Sequence, residues 1–176
     1  MQLNFLDHPI PTKLSSGFPD AMVLLDCETT GEKVINHRII EIGLIVIEGG
    51  VVVETWQSFI DPKVSLPTFI QTLTGITPEM VDGAPAFSDI AEELLSKLKG
   101  RTLVAHNARF DYGFLKDEFE RAGYSYNAKP LCSVKFSRNL YPRFKRHGLS
   151  QIITRFDLAI ENRHRALDDA KMIYQF

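Results

Sequence analysis

AMVLLDCETTG, residues 21–31, carries four apolar side chains, Met22 to Leu25, straight into Asp26, Cys27 and Glu28. A short, unbroken apolar run of this kind is the pattern of a strand covered on both faces. Side chains alternate along a strand, so Asp26 and Glu28 project from the same side. Two carboxylates placed there repel each other and lose hydration unless a cation offsets them. A divalent metal is the simplest counter-charge, and oxygen donors favour Mg²⁺ or Mn²⁺ over Zn²⁺. The alternative is that the strand stops at Asp26 and both acids are solvated.

The neighbouring segments extend this strand into a sheet. RIIEIGLIVIE (38–48) and VVVETWQSFI (51–60) are β-branched and apolar, and Gly49-Gly50 between them predicts a tight hairpin. Glu41 interrupts the first run, either because the strand lies at an exposed edge or because it supports the metal site. Residues 1–20, with Pro9, Pro11 and Pro19, read as an extended leader to a domain spanning 21–176. Beyond the hairpin, Pro62, Pro67 and Pro78 break the chain into short pieces, and Thr77-Pro78-Glu79 has the form of a helix start. Phe87–Lys99 is amphipathic and stops at Gly100, and Thr102–Ala105 is a short strand. His106-Asn107 then opens a helix expected to run to Ala122. Pro130–Cys132 is the last predicted strand. Two or three helices follow, the last starting near Arg165 and unfinished at Phe176, which predicts that the chain continues. A three-strand meander followed by alternating helix and strand predicts an α/β domain with a mixed central sheet of five strands.

Helical phase singles out further acids. At about 100° per residue, Asp111 falls on the same arc as Phe114, Leu115 and Phe119, with Glu118 the other acid on that arc. Asp111 is the better ligand candidate, because it follows closely on the strand ending at Ala105, and sites in open α/β sheets gather beyond the carboxyl ends of strands. On the last helix Asp169 lies with Ala166, Ala170 and Ile173, while Asp168 turns about 100° further, towards solvent. His164 precedes this helix in a basic loop with Arg163 and Arg165. Asp26, Glu28, Asp111 and Asp169 thus come from three elements. Four carboxylates suffice for two divalent ions about 3.5–4 Å apart, the arrangement used for in-line displacement at phosphorus.

The charge distribution fits such a site. The net charge of −2 over 176 residues divides unevenly. Residues 1–128 carry −8, from 10 basic and 18 acidic side chains, and residues 129–176 carry +6, from 10 and 4. An acidic centre beside a phosphate-binding surface would produce this split, as would ordinary solvated faces. Lys129–His147 holds Lys135, Arg138, Arg143, Lys145 and Arg146 and no acid, interleaved with Phe136, Tyr141 and Phe144. That composition suits phosphate contacts with base stacking on a single strand, or a solvated helix whose aromatics enter the core. Cys27 and Cys132 stand far apart, against a disulfide framework or zinc module and in favour of a reducing compartment. The first twenty residues carry no secretory pattern. No apolar run approaches the ~20 residues of a membrane span, so a cytoplasmic location without membrane contact is expected.

DCETTG, HNARFDYGFL and HRALDDA together resemble the three signature segments of the DEDD 3′→5′ exonuclease superfamily, in its histidine-bearing subgroup. Its members include the proofreading epsilon subunit of bacterial DNA polymerase III. SVKFSRNLYPRFKRHGL is similar to exonuclease domains attached to larger polymerases or to UvrC-type nucleases. The resemblance runs from Val23 to the C-terminus and implies a ribonuclease H-like fold. It implies Asp26, Glu28, Asp111 and Asp169 as ligands of two Mg²⁺ or Mn²⁺ ions, and His164, five residues before Asp169, as general base. Thr29, Thr30, Gly31, His106, Asn107 and Phe110 are the implied substrate contacts, with backbone N–H groups of the Thr29–Gly31 segment approaching the terminal nucleotide. Gly31 as a simple turn residue is the plainer alternative. The implied activity is hydrolysis from the 3′ end of DNA, releasing nucleoside monophosphates, in proofreading or repair. Single-stranded DNA is the expected substrate, and a DNA polymerase or fused nuclease domain the expected partner. Action on RNA 3′ ends, or a silent nucleic-acid-binding role, are the alternatives.

Overall fold

The computed structural model describes residues 17–160 and 162–176. Most of the expected leader, residues 1–16, lies outside that range. Strand β1 is Ala21–Thr29, β2 is Ile39–Glu48 and β3 is Val51–Phe59. Gly49 and Gly50 join β2 to β3 with φ of 58° and 82°, the doubly left-handed geometry of the tightest hairpin turn. Short helices α1 (Thr68–Thr74) and α2 (Pro78–Val81) lead to α3 (Phe87–Leu98), then β4 (Thr102–Ala105), α4 (Arg109–Arg121) and β5 (Leu131–Cys132). Helices α5 (Ser133–Leu140), α6 (Leu149–Phe156) and α7 (Ala166–Gln175) complete the chain.

The sheet order is β3-β2-β1-β4-β5, with β1 antiparallel to β2 and parallel to β4. The expected mixed five-stranded sheet is therefore present. Strand β1 sits at its centre with both faces covered. Val23, Leu25 and Cys27 enter the core beneath α3 and α4, while Met22 and Leu24 enter a second core beneath α7. Asp26 and Glu28 share the parity of Met22 and Leu24, so they emerge on the α7 side. Strand β2 is buried from Ile39 to Ile47, and Glu41 is 2% exposed. Edge exposure therefore does not explain Glu41, because β3 covers that flank.

Local chemistry adjusts two expected boundaries. Helix α4 starts at Arg109 rather than at His106, because Asn107 adopts φ 64° in the turn leaving β4. Asparagine tolerates that conformation better than most residues. The last strand starts at Leu131, since Pro130 has no N–H for a ladder bond. Three helices follow it, within the two or three expected. Among the described residues no helix is long and apolar enough to cross a membrane.

Candidate active site

The α7 side of β1 and β2 changes character along its length. Met22, Leu24, Ile45 and Ile47 pack against Ala170 and Ile173 at one end. Gly43, paired with Asp26, comes next, and then Glu41, paired with Glu28. A β-carbon on Gly43 would lie 2.1 Å from the Leu167 backbone nitrogen, so the first turn of α7 rests directly on this strand. That contact lowers α7 far enough to bring Asp169 to the end of β1. A glycine inside an otherwise unbroken β-branched run signals such a close approach, and in IIEIGLIVIE it was the available clue.

Asp111 arrives from the opposite layer. Strand β4 pairs with β1 only as far as Leu24, leaving the β1 edge open beyond. Asp111 closes it by accepting the Cys27 N–H at 3.1 Å, and is 2% exposed. Glu118, the other acid on that arc, is also buried but is occupied elsewhere, accepting the Ile39 N–H at 3.3 Å.

Asp26, Glu28, Asp111 and Asp169 thus share one field. Burial raises the Asp26 carboxyl well above its usual range, and the charges of Asp111, Glu28 and Asp169 add to the effect. Burial, then Asp169, Glu41 and Asp111, lift Glu28 to about 8. Burial lifts Asp111 to about 7 against opposing backbone hydrogen bonds, and Asp169 is raised chiefly by burial. Arg163 opposes these shifts at Asp26, Glu28 and Asp169, and it ion-pairs with Asp169. Ligand atoms of Glu28, His164 and Asp169 lie within 4.8 Å of one another. One arginine among four acids leaves an excess of negative charge, and oxygen donors on rigid elements suit a small divalent cation.

A cavity of about 480 Å³ opens from Asp26 and Asp169 and is lined by His106, Asn107, Arg138, His147 and Arg163. A larger cavity of about 530 Å³, beside Gly100 and Lys129, has no acid in its lining, so charge rather than size marks the site. Burial and then Arg163 push His106 down to about 4, so this imidazole is neutral, with Nδ1 2.8 Å from the Ser133 hydroxyl. His147 donates from Nε2 to the Phe144 carbonyl, and its Nδ1 is hydrogen-bonded to the Ser137 hydroxyl; both contacts are 2.8 Å. Ser133 and Ser137, one turn apart on α5, hold the two histidines of the cavity wall. Nothing in the local sequence pattern announced that link.

The other expected contacts fall as follows. The Thr30 N–H is donated to the Arg38 carbonyl at 2.8 Å, which removes it as a nucleotide donor. The Thr29 hydroxyl bonds to the Gly31 carbonyl, and the Thr30 hydroxyl accepts from Arg38 N–H. Gly31 packs against the His37 ring. Phe110 is half-buried, lies against Phe114 with ring centroids 4.9 Å apart, and packs against the main core rather than lining the cavity. Asp168 does turn away from the carboxylates, but not into open solvent. Its side chain is 13% exposed, with Lys171 Nζ at 2.9 Å and Asn162 beside it. Of the basic segment's aromatics, Phe136 and Tyr141 form a cluster with Phe156 and Phe176, while Arg155 stacks on Phe144 at 3.7 Å.

A family model for exonucleases, RNase_T, matches residues 23–176, the span that builds the sheet and all four carboxylate positions. The chain belongs to this exonuclease family. PolC-type DNA polymerase III of Clostridium perfringens (strain 13 / Type A) is 38% identical over 154 residues, which cover 88% of this chain and 11% of that protein. The corresponding polymerase of Streptococcus suis (strain 98HAH33) is 36% identical over 176 residues, covering 97% and 12%. The chain therefore spans little more than a tenth of the length of these relatives. Among solved structures, the nuclease domain of 3′hExo, a DEDDh family member bound to rAMP, superimposes with a TM-score of 0.74 at 22% identity, covering 90% of each chain. Exonuclease X in complex with 5′-overhanging duplex DNA gives 0.69 at 22% identity, covering 86% and 85%. These likenesses establish the ribonuclease H-like exonuclease fold. Exonucleases of the DEDD family use divalent metals, and the donor set described above is of the matching kind.

Proposed function

We propose that residues 21–176 form a two-metal 3′→5′ exonuclease domain that removes nucleoside monophosphates from DNA 3′ ends, working beside a replicative polymerase as a proofreading or repair activity. The supporting observation is the convergence of Asp26, Glu28, Asp111 and Asp169, from β1, α4 and α7, on one end of the sheet with His164 alongside. These four carboxylates would hold two Mg²⁺ or Mn²⁺ ions, which supply Lewis-acid stabilisation of the phosphoryl group and the leaving 3′ oxygen. His164 is a nitrogen donor among oxygens, better suited to accepting the proton of the attacking water than to ligating a hard cation. Neutral His106 and Asn107 border the terminal nucleotide. Arg138 and Arg163 offer the phosphate charges on the cavity wall. The PolC-type relatives support a polymerase partner and a DNA substrate, and single-stranded ends suit the open cavity.

End-labelled single-stranded DNA, duplex DNA and RNA, each with Mg²⁺, Mn²⁺ or chelator, test this reading. A ladder shortening from the 3′ end of DNA, with mononucleotide product and no reaction in chelator, is the expected result. Full activity in excess chelator, or shortening from the 5′ end, would overturn it. Preference for the RNA arm would transfer the same chemistry to RNA 3′ ends.

A further inference from the structure

His164 sits in the left-handed region, φ 58°, where a side-chain-bearing residue persists only if its surroundings over-determine it. Both neighbours are held. On one side Arg163 is paired with Asp169. On the other, Arg165 Nε lies 3.2 Å from both oxygens of Glu41, and Nη2 lies 2.8 Å from Oε1. The next residue, Ala166, donates its N–H to Glu41 Oε2 at 3.0 Å, which also places a carboxylate at the start of α7. The Arg165 guanidinium lies over the Phe59 ring, 5.2 Å from its centroid. Three N–H groups thus converge on the Glu41 carboxylate, with the single Arg165 Nε–H shared between its two oxygens. Both Glu41 oxygens are therefore engaged by the turn that carries His164.

The base of this clamp is rigid. Glu41 is buried in β2, and its register partner in β1 is Glu28. One rung of the sheet thus carries the acid beside the histidine and, next to it, the anchor of the histidine's turn. We propose that Glu41 and Arg165 are positioning residues that hold the His164 imidazole against Glu28 and Asp169 for proton transfer. This inference rests on the reading of His164 as general base.

Glu41→Gln keeps the shape and one acceptor oxygen but loses the charge; Arg165→Lys keeps the charge but loses the fork. Each is measured for kcat and KM on single-stranded DNA with Mg²⁺, for Mn²⁺ affinity by calorimetry, and for folding by circular dichroism. A misplaced general base should lower kcat by roughly 10–100-fold, with KM and Mn²⁺ affinity nearly unchanged. In a His164→Ala background, Glu41→Gln should add less than about a twofold further loss, because both changes remove one function. An undiminished further loss in that background, a matching fall in Mn²⁺ affinity, or full kcat in a folded Arg165→Lys would overturn the inference. If Glu41→Gln does not fold, Arg165→Lys in both backgrounds decides. His164→Ala with a wild-type rate would instead sink the general-base reading itself, and this inference with it.

Discussion

At the residue scale, protons compete with any cation for the clustered acids. Glu28 titrates near 8 and Asp111 near 7, above their ordinary values of 4.5 and 3.8, and Asp26 and Asp169 are shifted the same way. A raised carboxylate pKa means that the folded protein binds its proton more tightly than the unfolded chain does. The stability these groups contribute is therefore present at low pH and lost as pH rises through the folded values. Metal-free protein should melt at a lower temperature near pH 9 than near pH 6, and Mg²⁺ should restore most of the difference. Asp26→Ala should abolish turnover yet flatten this pH dependence, since one repelling charge is gone. A metal-free melting temperature that rises over the same range would refute shared protonation. The residues of α7 and of the turn before it separate by role. His164→Ala should retain metal binding and lose roughly 10²–10⁴-fold in turnover. Asp169→Ala should weaken metal binding and turnover together. Asp168→Ala should keep activity and cost about 0.5 kcal/mol from its pairing with Lys171. Calorimetry with Mn²⁺ alongside initial rates distinguishes the three, and an inactive Asp168→Ala would invert the assignment.

At the scale of elements, the site exists because α7 lies unusually close to β2. Gly43 is the contact, and backbone rather than a flexible side chain fills the space where a β-carbon would go. Gly43→Ala should therefore lift the start of α7 and cost about 1–3 kcal/mol, as overpacking does. Asp169 should move with the helix, so Mn²⁺ affinity should fall although no ligand has been changed. Normal affinity and stability in Gly43→Ala would show that α7 is not seated on this strand. Helix α5 has a comparable structural task. Through Ser133 and Ser137 it holds His106 and His147 on the cavity wall, and its Phe136, with Tyr141 just past its end, contributes to the cluster around Phe156 and Phe176.

For the molecule as a whole, the division between an acidic first part and a basic second part becomes spatial at the cavity. Its floor is Asp26 and Asp169, and Arg138, from the acid-free segment, stands on its wall. Binding of single-stranded DNA should weaken with salt, and Arg138→Ala should flatten the slope of log affinity against log salt by about 0.7. Filter binding in Ca²⁺, to suppress turnover, across a salt series measures this. An unchanged slope would remove Arg138 from the phosphate path.

The elements were legible in the sequence because they depend on local pattern. An unbroken apolar run marked β1, β-branched apolar runs marked β2 and β3, Gly49-Gly50 marked the hairpin, and helical phase put Asp111 and Asp169 on inward faces. The three motif segments then named the carboxylates together, since each motif is short and contiguous. What local pattern cannot carry is which partner a buried polar group finds across the fold. Glu41 looked like an interruption in a strand and became the anchor of a turn more than a hundred residues away. Thr30 looked free to meet a nucleotide until its N–H was donated to Arg38. Asp168 gained cover from Lys171 and Asn162, and Phe110 packed against the core. Periodicity tells which face a side chain leaves from. Hydrogen-bond pairing and close backbone approach, as at Gly43, depend on distances between elements that only the assembled sheet and helices define.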